Sequence, residues 1–223
     1  MSAPMIPLPP RPVLSDAEML DRVQQFYARV RTRRTVRDFS PQPVARAVIE
    51  HALRAAGTAP SGANKQPWTF VAVANGEVKR RIREAAEEEE KLFYGVRAGE
   101  KWLADLEPFA TTWQKPFLET APWLIVAFQQ NYSLDPETGE KHKNYYVPES
   151  ASLACALLIT ALHEAGLVTL THTPSPMGFL RDVLKRPASE KAIMVIVAGR
   201  PAPDAQVPDI QRKPLDQFTV FFD

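Results

Sequence analysis

From Ser15 onward apolar residues recur every three or four positions, and Leu20, Val23, Phe26, Tyr27 and Val30 fall on one helical face. Ser15 followed by Glu18 is a capping-box pattern, which places the start of the helix there. Val44, Val48, Ile49, Ala52 and Leu53 mark a second amphipathic helix over 43–56, with Gly57 as its C′ stop. The period then changes. Residues 68–74 (WTFVAVA) are few, aromatic and β-branched, and read as a buried strand. A charged helix follows from about Glu77, through RRIREAAEEEEKLF. Residues 94–116 are only weakly periodic yet contain Trp102, Phe109 and Trp113, a pattern suited to a lid.

Residues 123–128 read as a second strand, and 129–143 as a polar surface loop containing Asp135-Pro136 and Thr138-Gly139. Residues 149–165 are apolar almost all round, which predicts a central helix buried on every side. Strands are expected at 167–171 and 192–198, a short helix at 179–184 and a last strand at 217–222. Strands separated by helices predict an α/β or α+β sandwich rather than a bundle or an all-β barrel. The expected organisation is a flexible proline-rich arm over 1–14, then one domain from 15 to 223. Within that domain the lid spans about 90–116. A C-terminal arm over about 201–223 lies beyond Pro201, Pro203, Pro208 and Pro214 and is placed to reach a neighbouring subunit.

Composition narrows the function classes. The 223 residues are 45% hydrophobic and 24% charged, enough for a sizeable core. Lys plus Arg is 27 against 26 for Asp plus Glu, a net charge of +1. That balance argues against general binding of nucleic acid or of an anionic membrane, both of which need a basic surplus. One cysteine, Cys155, excludes an internal disulfide and a thiolate zinc site, and suggests a reducing, cytoplasmic setting. No apolar run reaches the roughly 18–20 residues of a membrane span. The first 13 residues hold five prolines and resemble neither a signal peptide nor an anchor.

Candidate chemistry is concentrated in four places. Arg29, Arg31, Arg33, Arg34 and Arg37 set five guanidiniums within nine residues, and Thr35 adds a hydroxyl. Such a cluster suits a phosphate, or equally the solvated C-terminal end of a helix. Ala59-Pro60-Ser61-Gly62-Ala63-Asn64 is a small-residue turn that lets backbone N–H groups approach a flat ligand, or is an ordinary connection. Thr169, Thr171 and Thr173 bring hydroxyls to a strand end. The run Glu87–Glu90 reads most simply as a solvated helix face. Glu90 and Tyr94, however, are four apart, and Lys115 closes the lid, so anion, phenol and ammonium together suit a zwitterion. His51, His142, His163 and His172 lack metal-ligand spacing. No GxGxxG, P-loop or GxSxG is present, so dinucleotide-fold, NTPase and serine-hydrolase readings lack their signatures.

These motifs resemble the nitroreductase family of FMN flavoproteins, and within it the iodotyrosine deiodinase branch. The resemblance rests on Arg-Arg-Thr-Val-Arg (33–37), Ala-Gly-Thr-Ala-Pro-Ser-Gly-Ala (56–63), Pro-Trp-Thr-Phe (67–70) and Glu87–Glu90 with Tyr94. It continues through Lys115, Ala-Gly-Leu-Val-Thr-Leu-Thr-His-Thr-Pro (165–174) and Arg-Lys-Pro-Leu-Asp (212–216). It implies an α+β nitroreductase-like sandwich: a central mixed sheet flanked by helices, with C-terminal arms exchanged in a homodimer. FMN would be bound by Arg33, Arg34, Thr35, Val36, Arg37, Pro60, Ser61, Thr171, His172, Thr173 and Arg212, with Thr173 the catalytic hydroxyl at flavin N5. Ala63, Glu90, Tyr94 and Lys115 would bind substrate. No metal is implied. Thr35 stands where the family usually has serine, and His172 where threonine is common. The animal enzymes' membrane anchor is not seen in this sequence, which implies a soluble form. The implied reaction is reductive dehalogenation of a halotyrosine or related phenol. Reduced flavin would give electrons stepwise to the ring, recharged by NAD(P)H or a separate reductase. A broad NAD(P)H-dependent nitro- or quinone-reductase, or a flavin-binding protein without turnover, would share every FMN residue. Only the lid set separates them.

Overall fold

Residues 5–222 are described by a computed structural model; residues 1–4, the start of the expected proline-rich arm, and residue 223 lie outside them. The chain divides into two compact units, 1–33 and 34–223, so the boundary falls inside the arginine cluster. The first unit carries one helix, α1 (Asp16–Val30). Its capping box forms as the spacing predicts. Glu18 N–H donates to Ser15 Oγ at 3.3 Å, and Ser15 N–H donates to the Glu18 carboxylate at 2.8 Å. The apolar stripe of α1, including Leu20, Val23 and Phe26, is exposed.

In chain order the second unit contains α2 (Arg46–Ala56), β1 (Trp68–Val73), α3 (Gly76–Leu92), α4 (Glu100–Leu106) and α5 (Phe117–Thr120). It continues with β2 (Trp123–Gln130), β3 (Tyr132–Leu134), β4 (Lys141–Lys143), α6 (Val147–Glu164), β5 (Val168–His172), α7 (Gly178–Val183) and β6 (Glu190–Gly199). Four strands form one sheet in the order β1-β2-β6-β5, each neighbouring pair antiparallel. Thr35 adds a parallel bridge to Thr169, so the sheet is mixed at this edge.

The central strands read as unbroken apolar runs because both of their faces are buried. Leu124, Val126 and Phe128 of β2, with Val195 and Val197 of β6, point to one core, which also contains Ile82, Ala86, Phe117, Leu118 and Leu180 from α3, α5 and α7. Ile125, Ala127, Ile196 and Ala198 point the other way, to Ile49 and Ala52 of α2 and Cys155, Leu158 and Leu162 of α6. The layers are therefore helices, sheet, helices. A one-residue slip of β2 would exchange the two sets of side chains, so packing fixes the register. Gly199, the last residue of β6, is glycine for lack of room: a Cβ there would lie 2.6 Å from Pro122 Cδ. Cys155 is 2% exposed, and burial pushes its thiol up to about 11.

Several expectations need correction. The helix expected at 43 starts at Arg46, because Ala45 is still extended at φ −58°, ψ 134°. Gly57 does not provide a left-handed stop; its φ is −64°. The polar loop 129–143 contains the antiparallel pair β3–β4, closed by Asp135 Oδ1, which accepts from the N–H groups of Glu137 and Thr138. Helix α6 is not buried all round. One side packs on α2 and the sheet, while Leu153 and Leu157 remain 48% and 38% exposed. Residues 217–222 form no strand. Leu215–Gln217 is a 3₁₀ turn, and Phe218, Val220, Phe221 and Phe222 are exposed, since a β-rich segment needs a strand edge to pair with. Among the described residues no helix is long and apolar enough to cross a membrane.

Candidate functional site

The arginine run past residue 33 is held as extended backbone at the sheet edge. Val36 N–H donates to Thr169 O at 3.1 Å, and Ser40 N–H to Arg200 O at 2.9 Å. Phe39 forms an antiparallel bridge to Pro201. Thr35 and β5 are thus neighbours, which places Arg34–Arg37 beside the strand that ends in Thr171 and His172. Val36 is buried; Thr171 and Thr173 are exposed, with free space at the strand end. Thr173 lines a cavity of about 700 Å³ with Asn131, Met177, Arg181 and Lys191, within the size range of small-molecule sites. Arg34 donates to Pro208 O, so the first part of the C-terminal arm folds back on its own chain. Ala202 N–H donates to Asp38 O at 2.9 Å and strengthens that contact. Arg33 ends the first unit, and Arg212 lies exposed further along the arm.

The small-residue loop has a defined shape. Ser61 Oγ accepts from Gln66 N–H at 2.9 Å. Ala63, Asn64 and Gln66 all take positive φ (50°, 52° and 46°), an uncommon conformation for residues with a Cβ. The loop is closed from within, since Asn64 N–H donates to Ser61 O and Lys65 N–H to Gly62 O, each at 3.1 Å. A Cβ at position 62 would meet the Tyr146 ring at 2.8 Å, which explains Gly62. Pro60 and Ala63 are exposed.

At the lid, residues far apart in sequence meet. Lys115 Nζ lies 3.1 Å from Glu90 Oε2, with the two side chains 4% and 12% exposed. The same ammonium stands 5.3 Å from the centre of the Tyr94 ring. It also donates to Thr112 O, and to Thr111 Oγ1 at 3.4 Å. Burial lowers the Lys115 pKa, and Glu90 opposes the shift. The lid is not irregular. It continues α3 as a π turn (Phe93–Arg97), then α4, then a 3₁₀ turn (Glu107–Phe109). Arg97 pins it, 2.7 Å from Glu89 and donating to Ser175 O at 3.0 Å.

The two sets converge. Arg37 lies 6.0 Å from the Phe109 ring; burial lowers its pKa, while Tyr94 and Asp38 raise it. His172 is 7% exposed, edge-on to Phe117, and its Nε2 has no hydrogen-bond partner. Burial, with the charges of Lys115 and Arg37, pushes this imidazole down to about 3, so it is neutral at ordinary pH. An orphaned buried nitrogen, flanking hydroxyls and two guanidiniums form a donor set that fits a phosphate-bearing flavin. Sequence reasoning missed two residues here. Arg97 carried no motif. Glu87, read as solvated, is 8% exposed and accepts from the backbone N–H of Lys115 at 2.8 Å. Its signal was its spacing, one turn before Glu90 and one after Arg83. Among the described residues no group of three or more His, Cys, Asp or Glu is placed to hold a metal.

The nitroreductase family model matches residues 30–200. The chain is 52% identical over 196 residues to iodotyrosine deiodinase of Haliscomenobacter hydrossis, covering 88% of each protein. It is 47% identical over 206 residues to iodotyrosine deiodinase 1 of Homo sapiens, covering 92% of this chain and 71% of the human protein. A crystal structure of oxidized iodotyrosine deiodinase bound to FMN and 3-iodo-L-tyrosine superposes with a TM-score of 0.73 at 29% identity. That match covers 88% of this chain and 100% of the other.

Proposed function

Because the chain belongs to the nitroreductase family, we propose that it is an FMN-dependent oxidoreductase that reductively removes halogen from halotyrosines. The observation that carries this reading is the buried Glu90–Lys115 pair beside Tyr94. A flavin reductase acting on nitro groups or quinones has no use for a buried anion and cation under a lid. An amino acid does. Its ammonium and carboxylate can each take over one member of the pair, so the number of ion pairs is conserved or increased on binding. Each group leaves water only to meet an opposite charge, which limits the desolvation cost.

Arg34, Thr35 and Arg37 suit the FMN phosphate and ribityl chain, because a guanidinium offers its donors as a planar fork. Ser61, with Pro60, lies on the loop assigned to the flavin ring. Thr171, His172 and Thr173 line the strand end, and Thr173 is assigned the hydroxyl nearest the reacting edge. Bound FMN supplies the electrons for cleavage of the carbon–halogen bond. The protein supplies position. The left-handed turn at Ala63 presents a backbone N–H to the substrate phenolate and holds the ring in its electron-accepting form. Tyr94 and the lid residues exclude water from the ring.

We also assign a homodimer, with Arg212 and the exposed apolar arm closing on a second copy. Exposed Leu20, Val23 and Phe26 on α1, Leu153 and Leu157 on α6 and Phe218–Phe222 support an interface larger than one chain can cover. Turnover is assigned to the cytoplasm, with NAD(P)H or a separate reductase as electron donor. Anaerobic mixing of the dithionite-reduced protein with diiodotyrosine tests the function. Rapid flavin reoxidation with stoichiometric iodide release is expected. Reoxidation by nitroaromatics or quinones but not by diiodotyrosine would replace this reading with the broad reductase.

A further inference from the structure

Lys115 sits where the lid returns to the body of the protein, and what holds its main chain there is not the lid. Its backbone N–H donates to Glu87 Oε1 at 2.8 Å, and its carbonyl accepts from Leu118 N–H at 3.0 Å as α5 begins. Helix α5 is fixed in turn. Phe117 and Leu118 are buried, and Lys79 Nζ donates to the carbonyls of Glu119 and Ala121, each at 2.8 Å. Glu87 is held from the other side. Arg83 Nη1 donates to its Oε2 at 2.7 Å, and Arg83 Nε donates to Glu119. Arg83, Glu87 and Glu90 lie at spacings of four and three on α3, so one helical face carries all three toward the foot of the lid.

The charges divide the work. Glu87 is only 8% exposed and lies next to a lysine, so it competes with Glu90 for the ammonium. Arg83 neutralises it. With Oε2 taken by Arg83 and Oε1 by a backbone N–H, Glu87 holds the Lys115 main chain and leaves the Lys115 side chain to Glu90. We propose that Glu87, clamped by Arg83, is a positioning residue. It fixes the foot of the lid so that the Lys115 ammonium stays with Glu90, ready for the substrate's carboxylate, and is not captured by Glu87. The inference rests on the head-group role given to Lys115 above. The clamp itself can be tested without any substrate.

The experiment uses the FMN-loaded full chain and two variants. Glu87→Ala removes both contacts, and Glu87→Gln keeps a carbonyl oxygen for the Lys115 N–H. Amide hydrogen exchange at Lys115 without ligand should accelerate at least about tenfold in Glu87→Ala and change little in Glu87→Gln. The dissociation constant for iodotyrosine should rise at least about tenfold in Glu87→Ala, with Glu87→Gln close to the parent. Binding of 2-iodophenol and of FMN should not move, which a merely structural role would not predict. Exchange at Lys115 as slow in Glu87→Ala as in the parent overturns the proposal. So does an equal loss of iodotyrosine and iodophenol binding. If the parent binds the two ligands alike while exchange still accelerates in Glu87→Ala, the clamp stands and the head-group role of Lys115 falls.

Discussion

At the sheet edge, Arg34–Arg37 are placed by backbone pairing to β5 and to the segment after β6, whereas at the lid foot Glu90 and Lys115 are placed by each other. In the first arrangement Arg34 donates to Pro208 O, while the buried Nε2 of His172 has no hydrogen-bond partner. The second is already satisfied, so its ligand must displace an internal partner. A site whose geometry is independent of occupancy suits a resident cofactor. A site that exchanges one set of ion pairs for another suits a substrate that must arrive and leave. The difference should appear in the size of mutational effects. Cofactor contacts are additive to the fold, and lid contacts are differences between two paired states.

The largest effect is expected at the sheet edge. Arg34→Ala combined with Arg37→Ala should weaken FMN binding by about 3–6 kcal/mol, at roughly 1.5–3 kcal/mol for each charged hydrogen bond. Quenching of FMN fluorescence on titration measures it. A double variant that retains flavin through gel filtration at nanomolar concentration would remove the contrast between the regions.

The next concerns His172, where the regions touch. Its imidazole has an ordinary pKa of 6.5 and is pushed down to about 3 in the folded protein. As pH falls, the unfolded chain takes up the proton first, so stability is lost between pH 6.5 and 3. At pH 5 the loss should be about 2 kcal/mol relative to neutral pH. His172→Thr should flatten that part of the stability–pH curve, read by urea unfolding at pH 5 and 7. Parallel curves for parent and variant would mean that neither burial nor the charges of Lys115 and Arg37 depress this imidazole in the folded protein.

The smallest effect belongs to the lid foot. Glu90→Gln and Lys115→Ala should each raise the iodotyrosine dissociation constant at least about tenfold, or 1.4 kcal/mol, and leave FMN affinity unchanged. Isothermal titration with iodotyrosine and with 2-iodophenol separates head-group from ring binding. Loss of flavin in either variant would merge the two regions into one site.

The sequence made most of the core legible, because β2 is apolar from Trp123 to Phe128, β6 is apolar from Ala192 to Ala198, and α2 and α3 are amphipathic at a clear period. What it concealed depends on partners remote in the chain. The pair β3–β4 is polar, short and exposed, so no periodic pattern marks it. Glu87 lies within four consecutive glutamates of identical composition. Only the packing of α5 against α3 distinguishes the buried Glu87 from the exposed Glu88. Residues 217–222 have strand composition but no edge to join. The residues proposed for the site stood out as motifs, Arg34–Arg37, Ser61–Ala63, and Glu90 with Tyr94 and Lys115, and the last three meet in the fold. The orphaned state of His172 was not legible, since burial of Nε2 is a property of the surrounding side chains and leaves no trace in the residue name.

Cys155 gives this protein a practical advantage for watching its own lid. With the thiol 2% exposed and its pKa raised to about 11, only about one molecule in ten thousand is thiolate at neutral pH, and that thiolate is walled in by α2, α6 and the sheet. The native chain is therefore silent toward maleimides. A cysteine introduced at Val96, which is 80% exposed on the π turn, would be the single labelling site. A fluorophore there would convert closure over the substrate into an optical signal, with no need to strip the wild-type background first.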